Sequence, residues 1–175
     1  MNNTQSAVVA LVLLLIHGSV LVLSQQRKEA LYIQLVTTAV DSISQSVASG
    51  NDGFYVCGFT TGNLAFNLTT SMVSNGGIDT FLIKYTNKGE LLWGVGVGSA
   101  SVDYAYSVAT SDDSVYMTGY SNGNLFDHTN AGSSDVFVVK YSSAGELKWS
   151  KLFGTPEGDS GYGIGVSSDG VYVTG

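Results

Sequence analysis

The sequence predicts an all-β protein built from tandem four-stranded antiparallel sheets, and three observations lead to that prediction. The stretch DTFLIKYTNKGELLWGVGVG, from Asp79 to Gly98, returns as DVFVVKYSSAGELKWSKLFG from Asp135 to Gly154. Short runs of β-branched and aromatic residues alternate with turns that contain Asp, Asn or Gly. The 175 residues include 22 Gly and only 1 Pro, and a hydrophobic content of 44% argues against disorder.

The internal repeat keeps its register without a gap at a shift of 56 residues. That shift aligns four conspicuous pairs: Asp79 with Asp135, Trp93 with Trp149, Asp103 with Asp159, and Gly119 with Gly175. An earlier copy matches at a shift of 61, where Tyr55 aligns with Tyr116 and Gly58 with Gly119. Self-similarity at a fixed period is the signature of repeat architectures, so each copy is expected to be one structural unit.

Each unit holds four short strands in an up-and-down meander. In the copies where they are clearest, we place the first strand at 107–110, the second at 115–120, the third at 79–85 and the fourth at 90–97. A four-stranded unit that repeats in tandem at this period is typical of a β-propeller blade. We therefore predict β-propeller repeats over 42–175, with blades at 42–98 and 104–154 and a partial blade at 160–175.

Two and a half blades make an incomplete β-propeller, because propellers close with about four to eight blades. We expect the chain to be a fragment of a longer protein. The alternative is a ring that several chains assemble.

The repeat resembles a known family. The pattern D-x-F-(hydrophobic)2-K-Y-x3-G-E-L-x-W, followed by V-Y-x-T-G at the end of the second strand, is similar to the SBBP-type β-propeller repeat, closely from Asp79 onward and more loosely from Ser42. The resemblance implies a secreted or cell-surface protein whose repeats share no catalytic residues. The GELxW turn also resembles the tryptophan-docking turn of quinoprotein-like propellers.

The N-terminus predicts export. Residues 7–23 read AVVALVLLLIHGSVLVL without a charged side chain, and Val22 and Ser24 suit a signal-peptidase site before Gln25. We predict a signal peptide at 1–24 and a linker or degenerate strand at 25–41, hence a secreted protein. Arg27 and Lys28 leave an uncleaved membrane anchor as the alternative.

The formal charge of −7 makes nucleic acid and anionic membrane surfaces poor partners. An unknown extracellular protein or glycan is the expected partner, and a membrane is expected only if the N-terminal segment stays uncleaved.

Repeated residues are expected to solve a problem that every blade shares. Trp93 and Trp149 are interpreted as packing between blades, with an exposed sugar-stacking platform as the alternative. Aspartates that precede strands are expected to accept backbone N–H groups in turns, with calcium binding as the alternative: Asp79, Asp135, Asp103 and Asp159. No cofactor or other metal is expected. Gly119 and Gly175 end the second strand of their copies.

Three further residue types receive an interpretation. The sole cysteine, Cys57, aligns with Thr118 and is expected to be a small buried residue. Lys84 and Lys140 are expected on the solvent side of the third strand. Asn67 begins an Asn-Leu-Thr sequon, which predicts a glycoprotein if the chain is exported by a eukaryote.

The functional hypothesis is a non-catalytic binding or adhesion module, because loops of variable length and composition sit on constant strands. One alternative is part of a propeller enzyme, quinoprotein-like or glycan-processing, with its active site in further blades. The other is a structural spacer domain.

Overall fold

The computed structural model describes residues 24–26, 29–31, 41–65 and 71–175. These ranges are strands and turns, and the predicted all-β fold class with antiparallel four-stranded sheets is confirmed. Residues 1–23, which hold most of the predicted signal peptide, lie outside the described residues. Across the predicted cleavage site and into the predicted linker, β1 (Ser24–Gln26) pairs with β2 (Glu29–Leu31). In the described ranges, no helix has the length and apolar character that crossing a bilayer requires.

Blade one is a four-stranded antiparallel sheet in the order first, second, third, fourth. Its strands are β3 (Ser42–Gly50), β4 (Gly53–Thr60), β7 (Asp79–Tyr85) and β8 (Leu91–Val97). A small hairpin of β5 (Leu64–Ala65) and β6 (Ser71–Met72) lies in the connection between β4 and β7.

Blade two repeats this order with β9 (Asp103–Ser111), β10 (Ser114–Ser121), β11 (Asp135–Ser142) and β12 (Leu147–Phe153). A half-blade follows, in which β13 (Gly163–Val166) pairs with β14 (Val171–Thr174). The strands lie within a few residues of their predicted positions because alternating β-branched and aromatic residues suit a pleated, half-buried surface.

The second and third strands of each blade are buried on both faces. Along β4, Phe54 and Val56 join a cluster with Leu64, Met72 and Phe81, which covers one side of blade one. Tyr55 and Cys57, which point the other way, join a larger cluster that fills the junction between blades one and two. The inter-blade junction is therefore the main core of the described chain.

The first strands of successive blades lie side by side, since β9 contacts both β3 and β13. A serine bond recurs at each contact: the Val108 N–H donates to Ser46 Oγ, and the Ile164 N–H donates to Ser107 Oγ, both at 3.3 Å. Ser46 and Ser107 are equivalent at the shift of 61, so the bond belongs to the repeat.

Candidate functional site

The antiparallel meander gives every blade two unlike edges. At one edge, short turns of two to five residues join the first strand to the second and the third to the fourth; we call it the tight-turn edge. At the opposite edge lie the connections 61–78 and 122–134 and the inter-blade connections 98–102 and 154–162; we call it the long-loop edge. Longer irregular connections on a rigid scaffold are where recognition usually resides.

Trp93 links two blades at the tight-turn edge. Its Nε1–H donates to the Ser143 carbonyl of blade two at 3.0 Å, and its ring lies 5.9 Å from the Tyr55 ring. Gly145 sits under the indole with φ of 89°, and a Cβ there would lie 3.0 Å from the ring. The structure thus places Trp93 in the packing between blades, against the turn that carries the Gly-Glu-Leu sequence of the next repeat.

Lys84 lies beneath the same turn, and the expectation that it faces solvent is wrong. The side chain is 3% exposed, and Nζ lies 2.7 Å from Asp52 Oδ2 and 2.8 Å from the Ser143 carbonyl. Burial alone would lower the pKa of Lys84, but the hydrogen bond and charge of Asp52, together with Tyr55, raise it. The turn of the next blade covers Lys84, which reasoning on one isolated strand could not reveal.

Trp149 and Lys140, the equivalents in blade two, have more open surroundings. Trp149 is half-buried and meets the Tyr116 ring edge-on at 6.0 Å, and Lys140 Nζ lies 5.2 Å from the centre of that ring. Trp149 also borders an open groove of about 610 Å³ between blade two and the half-blade. At the preceding junction, Phe137 and Val139 of the third strand occupy the matching space.

The repeated aspartates brace the long-loop edge. In each case, Oδ2 accepts the backbone N–H of the residue four positions earlier, at 2.6–2.7 Å; the donors are Asn75, Ser99, Ala131 and Thr155 for Asp79, Asp103, Asp135 and Asp159 respectively. Asp79, Asp103 and Asp135 are almost fully buried. Burial raises the pKa of Asp103, and the nearby charge of Asp79 raises it further.

The equivalent glycines near the ends of the second strands, Gly119 and Gly175, allow a close approach to the first strands. A Cβ at Gly119 would collide with the Tyr104 carbonyl, and one at Gly175 with the Ser160 carbonyl. Gly119 also lies where the β9–β10 register shifts, leaving Tyr106 as an extra, unpaired residue in β9. Such a β-bulge re-aims a side chain.

An aromatic cluster surrounds this bulge at the long-loop edge. It consists of Phe59, Tyr104, Tyr106, Tyr120 and Tyr162, and it spans blade one, blade two and the half-blade. Ring centres are 4.3 Å apart for Phe59–Tyr104, 5.3 Å for Tyr104–Tyr120 and 5.2 Å for Tyr106–Tyr162. Tyr162 is 62% exposed, so the cluster presents aromatic surface to solvent. Partial burial and the neighbouring tyrosines raise the pKa of Tyr120 to about 12.

Most of the aromatic cluster belongs to the repeat, since Phe59 and Tyr120 are equivalent at the shift of 61 and Tyr106 and Tyr162 at the shift of 56. The positions of Tyr104 and Tyr106 are held in blade one by Ile43 and Gln45, of which Gln45 is the bulged residue there. The cluster was missed because its rings come from different blades and meet only in the folded chain. The signal that could have found it is Tyr104 in the Tyr-Ala-Tyr run at 104–106, because that position holds no aromatic residue in the other copies.

The other candidate residues lie apart from this surface. Cys57 is fully buried as a free thiol, and burial raises its pKa to about 12. His128 Nε2 lies 3.0 Å from the Ser150 carbonyl and fastens the 122–134 loop to β12. Asn67 lies outside the described residues. Within the described part of the chain, no three His, Cys, Asp or Glu side chains gather as a metal-binding group.

Comparison with known proteins agrees with this architecture. No family model matches the chain. It is similar to an uncharacterized WD repeat-containing protein of Acanthamoeba polyphaga mimivirus, with 29% identity over 132 residues. The match covers 62% of this chain and 9% of the viral protein, so the chain spans less than a tenth of that relative. WD repeats form four-stranded propeller blades, as do the sheets described above. The described sheets thus have the four-stranded antiparallel order of β-propeller blades.

Proposed function

We propose that the chain is part of a non-catalytic β-propeller module that is exported or displayed at a cell surface and binds a protein partner at its long-loop edge. The aromatic cluster is the observation that carries this proposal. Tyrosine provides large contact area at a low conformational entropy cost and is enriched in protein interfaces. The cluster also lies beside the connections that vary most between the repeats.

The surroundings of the repeated residues support a binding role over an enzymatic one. Trp93 and Lys84 contact the neighbouring blade, and Asp79 and Asp135 each close a turn. These contacts recur or have an equivalent position in each copy, so they are assigned to packing and turn formation. The aromatic cluster, by contrast, exposes ring surface where blades meet, and its member Tyr104 has no aromatic equivalent in the other copies.

Export and family membership belong to the same proposal. The repeat resembles the SBBP type, whose members are mostly secreted or at the cell surface, and residues 7–23 suit a signal peptide. Mass analysis of the native product, in medium and in membrane fractions, tests this part. We expect a secreted form that begins near Gln25; an unprocessed N-terminus in the membrane fraction would contradict it.

The binding surface is tested with a paired variant and a matched control. The bait is the full chain, and the prey is the set of surface proteins of the producing cells, captured with a cleavable crosslinker. The double variant Tyr106→Ala/Tyr162→Ala should lose the captured protein. Tyr172→Ala, which removes a tyrosine of similar exposure at the tight-turn edge, should retain it.

The outcomes separate the alternatives. Equal capture by all three proteins would exclude the aromatic cluster as the contact. Loss of binding to immobilised oligosaccharides, rather than to proteins, in the double variant would make a glycan the ligand instead. Circular dichroism spectra of the variants must match the parent for either result to count.

A further inference from the structure

Aspartates meet in pairs where successive blades join at the long-loop edge. Ile78, just before β7, forms a parallel bridge with Val102, just before β9. The Asp103 N–H donates to the Ile78 carbonyl at 2.7 Å, which locks the two segments together. Asp79 and Asp103 each follow a bridge residue directly, so they begin two neighbouring strands at the same level.

The next junction repeats the arrangement. Ser134 bridges Gly158 in parallel, and the Asp159 N–H donates to the Ser134 carbonyl at 2.8 Å. Asp135 and Asp159 therefore form the second carboxylate pair. A Cβ added to Gly154 would lie 2.6 Å from Asp135 Oδ1 and 2.8 Å from Asp159 Oδ2, so two oxygens from different blades converge near one point.

A glycine leaves room beside the carboxylates at both junctions. Gly98 is the equivalent of Gly154 at the shift of 56, and a Cβ there would collide with the Asp79 carboxylate. Any larger residue at either position would push the carboxylates out of place.

One oxygen of each buried aspartate has no partner. Oδ1 of Asp79, Asp103 and Asp135 forms no hydrogen bond, although these residues are at most 1% exposed. The Ser121 hydroxyl donates to the Gly123 carbonyl at 2.9 Å and lies within hydrogen-bonding reach of Asp103. A buried anionic oxygen without a partner is strongly disfavoured, so each of these atoms needs a proton, a hydrogen-bond donor or a cation.

The described chain supplies no cationic side chain to these atoms. Its ion pairs join Lys84 to Asp52 and Lys148 to Glu146, and neither involves a carboxylate of the two pairs.

We propose that each carboxylate pair binds one Ca²⁺, which bridges the third-strand aspartate of one blade and the first-strand aspartate of the next. Ca²⁺ takes oxygen ligands in flexible geometry, and two carboxylates leave the remaining positions to backbone carbonyls and water. With two acidic ligands in a site, a Kd of about 10⁻⁴–10⁻³ M is expected, the range of extracellular calcium modules. The ions would hold adjacent blades together, which is a role independent of partner binding.

Thermal unfolding of the full chain tests this proposal at pH 7 and constant ionic strength, in EDTA, in 10 mM MgCl2 or in CaCl2 up to ~10 mM, roughly the concentration that the expected Kd requires. We expect Ca²⁺ to raise the melting temperature saturably by about 5–10 °C, as ligand at a large excess over its Kd should. Mg²⁺ should act far less because it demands strict octahedral geometry. Isothermal titration should give two Ca²⁺ per chain.

Isosteric variants locate the sites. Asp79→Asn/Asp103→Asn should reduce the stoichiometry to one, and adding Asp135→Asn/Asp159→Asn should abolish binding. In EDTA the melting temperatures of these variants should be no lower than that of the parent, because the repulsion between the paired charges is gone. In Ca²⁺ their melting temperatures should be lower than that of the parent. Asp127→Asn removes an exposed carboxylate of the 122–134 loop and should change neither property.

Three results would overturn the proposal: a parent chain that does not respond to Ca²⁺, an equal response to Mg²⁺, or a response that survives all four Asn substitutions. A parent chain that ignores Ca²⁺ but gains stability between pH 7 and pH 5 would show that each pair shares a proton instead.

Discussion

Trp93 and Trp149 occupy the same place in two blades and differ in their surroundings. Trp93 docks on the 142–146 turn of blade two, which also covers Lys84. Trp149 borders an open groove, and Lys140 beside it stays half-buried. The two fourth strands share the G-E-L-x-W pattern, so the difference comes from the neighbour. Blade one is therefore stabilised by its contact with the 142–146 turn of blade two.

Removal of the two tryptophans should give the largest contrast. We expect Trp93→Ala to lower the free energy of unfolding by about 3 kcal/mol, since an indole packed between blades and its hydrogen bond are both lost. Trp149→Ala should lower it by about 1 kcal/mol, since its ring, half-buried like that of Trp93, borders the open groove and not a neighbouring turn. Urea unfolding followed by circular dichroism measures both values. Equal losses would show that the neighbouring turn does not matter.

The turn beneath Trp93 offers a second contrast. Gly145→Ala should lower the free energy of unfolding by about 2 kcal/mol, because alanine is strained at a φ of 89° and its methyl group would press on the indole. In a Trp93→Ala background the loss should fall to about 1 kcal/mol, the backbone part alone. Additive losses in this double-mutant cycle would contradict contact between the two residues.

The lysines should show a smaller difference. Lys84→Met should cost about 1 kcal/mol, since its partner Asp52 is mostly exposed and solvent screens the pair, while Lys140→Met should be near neutral. The pKa of Lys84 is raised on folding, so its contribution is fully present below the unfolded pKa of about 10.4 and is lost as pH rises through the higher folded value. Urea midpoints of the two variants and the parent at pH 7 and pH 11 measure this; an unchanged difference between them at pH 11 would refute it.

The smallest effect is expected at Cys57. Its equivalent Thr118 donates from Oγ1 to the Phe137 carbonyl at 2.8 Å, and Phe81 provides the matching carbonyl in blade one. Cys57→Thr should therefore change stability by less than about 1 kcal/mol. Since the thiol pKa is raised to about 12, the native parent should also resist thiol reagents at pH 8 and react only in denaturant. Rapid native labelling would show that the junction opens.

The sequence predicted the strands well because two periodicities coincide. The short apolar runs FLI and FVV between turns define strands that are buried on both faces, and the shift of 56 residues defines blades, so each reinforces the other. The turn role of Asp79 and Asp103 also followed from their position before a strand. Contacts between copies were not accessible in this way: Lys84 looked like a surface residue because the turn that buries it lies about one repeat further along the chain.

The aromatic cluster was not predicted from the sequence, for a different reason. Tyr106 owes its direction to a bulge, and a bulge is a property of two paired strands rather than of either sequence. Phe59 and Tyr162 reach the cluster from different blades. The signal in the sequence is Tyr104, which stands where the other copies have Ile43 and Ser160.

The contact between Trp93 and the following turn has a direction, and that direction bears on how such a chain could lengthen. The indole belongs to one repeat, and the glycine that it contacts belongs to the next. Each unit therefore carries a tryptophan on its fourth strand and, in the turn before that strand, a glycine that fits the tryptophan of the preceding unit. If the DNA that encodes one unit were duplicated, the new unit would contact both neighbours through tryptophan–glycine contacts that already fit. New blades could thus arise without any simultaneous invention of a complementary surface.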